Sequence, residues 1–264
     1  MVYRSDLEDW FRAETTVLLG YSGGVDSALL AVVGARVLGP TRFLAVIGRS
    51  ASLPEAQWRQ ARELAADFRV PVLEVTTGEL DDPNYRANAP NRCYFCKSEL
   101  WARLTDVAVA RGMAAIIDGT NTGDLVGHRL GAGAGAERRI RSPYLDLGWG
   151  KPDVRRVARE LGLPIWDAPA APCLASRIRY GLEVTQPRLR QVELAEELLR
   201  MLGVIGDLRV RHRGDLARIE VGPDMLSVVA GHWPAVQQRF GALGFQRVEL
   251  DPAGYRRGNL LRVV

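Results

Sequence analysis

Three sets of residues in this 264-residue sequence have types and spacings suited to chemistry. The first is Ser22-Gly23-Gly24-Val25-Asp26-Ser27. Adjacent glycines let backbone N–H groups approach phosphate oxygens with no Cβ in the way. A helix starting there adds partial positive charge, two hydroxyls flank it, and Asp26 can hold Mg²⁺ beside the phosphates. No Gly-Lys-Ser/Thr follows, so this is not the Walker loop. A glycine-rich turn with Asp26 as a helix cap would use the same residues. The second set is Cys93, Cys96 and Cys173. Cysteines three apart share a helix face, and three thiolates suit a [4Fe–4S] cluster with one iron left open. No fourth cysteine is present and His128, His212 and His232 lack zinc spacing, which disfavours a closed zinc site. Inert buried thiols, or a redox pair at 93/96, are the alternatives. The third set is Asp118-Gly119-Thr120-Asn121 with Asp124, by itself a second ligand loop or a plain turn.

These groups need a scaffold, and the hydrophobic pattern supplies one. Apolar runs at 16–20, 42–47, 71–75 and 114–118 read as buried parallel strands. They alternate with helical stretches at 27–38, 54–68 and 94–111, after a short first helix at 5–13. That order predicts an α/β fold, a parallel sheet covered on both faces, with ligands beyond the carboxyl ends of the strands. Loops 20–27 and 118–124 fall there. Residues 78–92 read as loop, 151–161 as helix and 165–180 as irregular. From about residue 187 the pattern changes to helix, two strands, helix and strand, a smaller α+β domain. The expected division is 1–180 and 181–264.

Composition narrows the class. Hydrophobic residues make up 47% and charged residues 25%, as in ordinary globular domains. No apolar run is long enough to span a bilayer and the N-terminus does not read as a signal peptide, so a cytoplasmic enzyme is expected. Net charge is only +4, and the basic residues are spread rather than clustered. That suits a phosphate-bearing small molecule and gives no reason to expect nucleic acid. Of the 35 basic residues only Lys97 and Lys151 are lysines.

The 22–27 loop closely resembles the SGGxDS loop of the ATP pyrophosphatases, the PP-loop superfamily within the HUP-like adenine-nucleotide-binding folds. Its members split ATP between the α- and β-phosphates and adenylate a substrate. The stretches LGLPIWDAPAAPCLASRIRYG, VRHRGDLARIEV and LGFQRVELDPAGYRRG narrow this. Together they resemble the LarE-type ATP-dependent sulfur transferases over nearly the whole chain. That resemblance implies thiolation of the carboxylates of a pyridinium mononucleotide, a step toward the nickel-pincer nucleotide, by a homo-oligomer. It implies ATP and Mg²⁺ at Ser22, Gly23, Gly24, Asp26 and Ser27, with Gly119, Thr120, Asn121 and Asp124 as the second nucleotide loop. Lys97 is implied to face the pyrophosphate, with Ser176 and Arg177 near nucleotide and substrate. Arg209 and Arg211 match positions for substrate phosphate, and Glu197 and Glu220 are carried over from the same region. Cys173 is implied to sit at the adenylated carboxylate. The presence of Cys93 and Cys96 places the chain with the three-cysteine, cluster-bearing form, in which sulfide rather than the Cys173 sulfur is transferred. Arg177 is expected to depress the Cys173 thiol pKa. The chain departs from the family after Asp124, reading His128-Arg129-Leu130 where an Asp-Tyr-Arg-Pro-Gly run is usual. Rival readings are a tRNA-thiolating PP-loop enzyme, an amide-forming NAD or GMP synthetase-like ligase, and a non-enzymatic nucleotide-binding module.

Overall fold

The computed structural model describes residues 2–125, 135, 137–169 and 171–256. The chain divides into two compact units, one of residues 1–79 and 93–171, the other of 80–92 and 172–264. The His128-Arg129-Leu130 departure lies outside the described residues.

The first unit is built on a four-stranded sheet of order β3-β2-β1-β4, in which every neighbouring pair is parallel. Its strands are β1 Val17–Gly20, β2 Phe43–Arg49, β3 Val72–Thr76 and β4 Ala115–Ile117. Side chains alternate across the sheet, as the period of two requires. Val17, Leu19, Phe43, Ala45 and Ile47 join one core with helices α1 (Val2–Arg12), α2 (Val25–Leu38) and α3 (Glu55–Asp67). Leu18 and Val46 join a second core with Trp101, Leu104 and Ala108 of α4 (Arg92–Arg111). Helix α2 is apolar nearly all round and mostly buried, the pattern of a core helix rather than a surface one. Helix α5 (Lys151–Glu160) follows a one-turn helix at Pro143–Asp146 and packs Val154, Val157 and Ala158 into the first core. This is the expected α/β architecture.

The second unit carries a three-stranded mixed sheet, β5-β6-β7. Strands β5 (Leu208–His212) and β6 (Leu216–Val221) are antiparallel, and β7 (Arg247–Leu250) is parallel to β6. Its core joins Leu208 and Val210 of β5 with Ala217, Ile219 and Val221 of β6. Against these pack α6 (Gln186–Met201), α7 (Leu226–Gly231) and α8 (Trp233–Ala242). The one-turn helix Pro83–Arg86 lies where the sequence pattern shows only loop, and α7 falls in a stretch to which the pattern assigns no element. Both are too short for amphipathic periodicity to register.

Candidate functional site

In the first unit the loop between β1 and α2 is pinned from below by α3. Tyr21 donates its hydroxyl to the Ala61 carbonyl at 3.0 Å, and Gln57 donates to the Ser22 carbonyl at 2.9 Å. Gly23 has φ +76°, and a Cβ there would fall 2.6 Å from the Cβ of Ala61, so both conformation and space select glycine. Ser22 and Ser27 hydroxyls lie 3.1 Å apart, and Ser27 Oγ accepts from the Ser22 N–H at 3.2 Å and donates to the Gly24 carbonyl at 3.1 Å. The N-cap of α2 is Gly24, which provides no side-chain acceptor. The first-turn N–H groups of a buried helix therefore face the loop without a protein cap, a ready seat for phosphate oxygens.

The loop after β4 comes against this one. A Cβ on Gly119 would stand 3.0 Å from both Asp26 Cβ and the Ser27 nitrogen, so the close approach of the two loops requires glycine. Asp118 organises the turn, accepting from the Thr120 N–H and hydroxyl at 3.0 and 2.7 Å and from Ser142 Oγ at 2.6 Å. Asn121 caps the turn, its N–H donating to Asp124 Oδ2 at 3.1 Å and its Oδ1 accepting from the Gly123 N–H at 3.0 Å. That leaves the Asn121 amide free to donate to Asp26 Oδ1 at 3.3 Å.

Asp26 is the hub. Lys151 Nζ lies 2.5 Å from its other oxygen, and Tyr144 donates its hydroxyl to its main-chain carbonyl at 2.7 Å. Burial, and then the Asp26 charge, raise the Tyr144 pKa well above the usual phenol range, so it remains a donor. The sequence reading brought Asp26, Gly119 and Asn121 to one place and missed Lys151 and Tyr144. The only available signal was that Lys151 is one of two lysines in an arginine-rich chain. Lys97, on α4, is half-buried and makes no ion pair among the described residues.

In the second unit Cys173 is the N-cap of a short 3-10 turn, Leu174–Arg177. Its carbonyl accepts from Ser176 Oγ at 2.7 Å and from Arg177 Nη1 at 3.0 Å. Arg177 is only 4% exposed and grips Glu196 with two parallel bonds of 2.9 and 3.1 Å. Arg177 thus meets the backbone of Cys173, and its charge is shared with Glu196. Glu196 also accepts from the Val210 N–H at 3.0 Å, tying the turn to β5.

Because Leu208 and Val210 face the core, Arg209 and Arg211 fall on the opposite face of β5. Arg211 pairs with Glu220 at 2.9 Å and donates to the Ser176 carbonyl at 3.1 Å. Arg209 lies 5.2 Å over the Tyr255 ring, and burial, then the nearby Arg177 charge, lower its pKa from the usual guanidinium range. Among the described residues Arg177 and Arg211 are each paired with a carboxylate, Glu196 and Glu220. Glu196 does the pairing in this site, while its neighbour Glu197 makes no ion pair among the described residues. One helical step of about 100° separates their directions, which a motif carry-over does not resolve.

The turn is also held from residues 80–92. Asn88, fully buried, donates to the carbonyls of Arg179 and Leu182 at 2.8 Å each and accepts from Arg92. Arg92 donates in addition to the Ala175 carbonyl at 3.0 Å. None of the three cysteines is in a disulfide; Cys93 is exposed and Cys96 and Cys173 are half-buried. Cys93 and Cys96 lie on the first turn of α4 in the first unit, Cys173 in the second. Among the described residues no three His, Cys, Asp or Glu side chains stand ready as a metal site, and no helix is long and apolar enough to cross a membrane.

Comparison with known proteins agrees with this anatomy. The NAD synthase family model matches residues 9–120, the segment that holds β1 to β4 and the glycine loop. An uncharacterised protein of Synechocystis is 42% identical over 261 residues, 98% of this chain and 97% of that one. A protein of Methanocaldococcus jannaschii, also uncharacterised, is 29% identical over 96% of this chain and 95% of its own length. The pyridinium-3,5-bisthiocarboxylic acid mononucleotide synthase of Lactiplantibacillus plantarum is 34% identical over 244 residues, 92% of this chain and 88% of that enzyme. On that extent of identity, the chain belongs to the LarE family of the PP-loop superfamily.

Proposed function

We propose that the protein is an ATP-dependent sulfur transferase that adenylates a carboxylate of a pyridinium mononucleotide and converts it to a thiocarboxylate, toward the nickel-pincer nucleotide. The observation that carries the reading is the uncapped N-terminus of α2 with Asp26 at its first turn, in a chain 34% identical to a synthase whose product is a bisthiocarboxylic mononucleotide. ATP lies with its phosphates on the 22–27 loop, and the 118–124 loop closes the other side of the nucleotide. Asp26 holds Mg²⁺. A substrate carboxylate oxygen bonds to the α-phosphorus, the bond to the bridging oxygen breaks, and its electron pair leaves on pyrophosphate. Backbone N–H groups and Lys97 meet that charge. Arg209 and Arg211 take the substrate phosphate as forked donors, and Ser176 and Arg177 hold the Cys173 turn in place.

Three cysteines outside any disulfide suit a [4Fe–4S] cluster with one open iron, and Cys93, Cys96 and Cys173 would hold it. When bound, such a cluster supplies the sulfide that displaces AMP.

The test is to incubate the anaerobically reconstituted protein with ATP, Mg²⁺ and the pyridinium dicarboxylate mononucleotide. AMP, pyrophosphate and a thiocarboxylate are expected. ADP with orthophosphate, or an amide product, would refute the reading. Intact mass before and after turnover decides the sulfur source, since loss of about 34 mass units would mark Cys173 as the donor instead of a cluster. The protein is expected to be a homo-oligomer in the cytoplasm and to leave tRNA unbound. Sedimentation and a salt-dependent tRNA shift assay check the assembly and the tRNA arm.

A further inference from the structure

The Lys151–Asp26 contact is unusual for an ion pair in this chain. Most of the others involve an arginine. Here a compact ammonium sits 2.5 Å from the carboxylate that the phosphate loop presents, and neither side chain is sealed off, at 37% and 25% exposed. Lys151 is the first residue of α5, so its backbone is fixed. The N-cap Gly150 donates to Asp153 at 3.0 Å, and the Trp149 carbonyl accepts from Thr122 at 2.9 Å within the second nucleotide loop. A lysine on a rigid anchor with a flexible four-carbon stem can swing its charge over several ångströms. Its partner is the one carboxylate in the loop suited to a divalent cation.

We infer that Lys151 is a catalytic residue of the adenylation step: when the magnesium nucleotide arrives, Asp26 exchanges the ammonium for the metal ion, and Lys151 moves to the oxygens of the departing pyrophosphate. This rests on the ATP-splitting reading above and adds to it a second cation beside Lys97. The step moves no proton. The α-phosphorus gains a bond to the carboxylate oxygen and loses the bridging oxygen with its electron pair, and the ammonium neutralises the charge that accumulates there. In the nucleotide-free protein the same lysine neutralises Asp26 and keeps the loop compact.

The experiment compares wild type, Lys151→Gln, Lys151→Arg and Asp26→Asn, with intact folding checked by thermal melting. Binding of AMP and of inorganic pyrophosphate is measured by calorimetry with and without Mg²⁺, alongside pyrophosphate release. Lys151→Gln should weaken pyrophosphate binding at least about tenfold, hold AMP within about twofold, and slow pyrophosphate release on the order of a hundredfold. Lys151→Arg should regain binding better than rate. Asp26→Asn, which sets the ammonium free, should bind magnesium-free pyrophosphate more tightly than wild type. If Lys151→Gln binds pyrophosphate as wild type does, or loses AMP and pyrophosphate equally, the inference falls while the function stands. If wild type itself releases no pyrophosphate from ATP with the dicarboxylate mononucleotide, the functional reading fails first.

Discussion

The two units present hydrogen-bond donors and positive charge in opposite ways. The first offers backbone: glycines, an uncapped helix end and a single carboxylate–ammonium pair around a loop. The second offers buried side chains: Arg177 held by Glu196, Arg211 held by Glu220, and Arg209 over the Tyr255 ring. Backbone donors read any phosphate chain and are insensitive to most side-chain changes. Buried guanidinium forks read one shape and depend on every partner. A nucleotide common to many enzymes suits the first arrangement, and a particular mononucleotide suits the second.

Four experiments break or sharpen that contrast. The largest effect is expected on the side-chain face. Arg211→Ala takes the guanidinium from the fully buried Glu220 and should destabilise by about 3–5 kcal/mol, whereas the double change Arg211→Met with Glu220→Leu should recover most of it. Urea unfolding reads both, and equal losses would show that the pair is not what stabilises the face. Next, Gly23→Ala forces a methyl into Ala61 at a positive φ and should slow pyrophosphate release about a hundredfold, near 3 kcal/mol in the barrier. Steady-state release with the fold verified by circular dichroism checks it.

The third concerns His212, which shares β5 with both arginines. Burial, and then Arg188, push its pKa down to about 4, and its Nε2–H is satisfied by Gln191 Oε1 at 3.0 Å. A depressed histidine pKa means that the unfolded state takes up the proton first. Stability is full above about pH 6.5 and falls as pH drops toward 4, by up to about 3 kcal/mol. Melting between pH 7 and pH 4 should show a slope that His212→Gln flattens. The smallest effect is Thr185→Ala, which removes the cap on the Arg188 N–H at the start of α6 and should cost about 1 kcal/mol with activity unchanged.

How far these features were legible follows from how local they are. The glycine loop, its strand and its helix are contiguous, so Ser22 to Ser27 could be read directly, and the alternation of β5 was enough to put Arg209 and Arg211 on one face. The pairings were not legible. Asp26 with Lys151, Arg177 with Glu196 and Asn88 with Arg179 are separated by 125, 19 and 91 positions, and no periodicity records them. Residues 78–92 illustrate the limit. Prolines and asparagines mark a loop, yet Asn88 is buried with its amide fully used, a role that only tertiary contact confers.

Strand β5 carries a constraint on how this family can change. Odd positions 209 and 211 carry the guanidiniums proposed to meet substrate and even positions 208 and 210 fill the core, so a strand of five residues interleaves charge on one face with packing on the other. Gaining or dropping a single residue inside it would swap the two messages, sending arginines inward and leucine outward. Exchanges at 209 and 211 therefore alter one face of the strand alone, whereas lengthening the strand alters both. Insertions belong in the turns at either end of the strand.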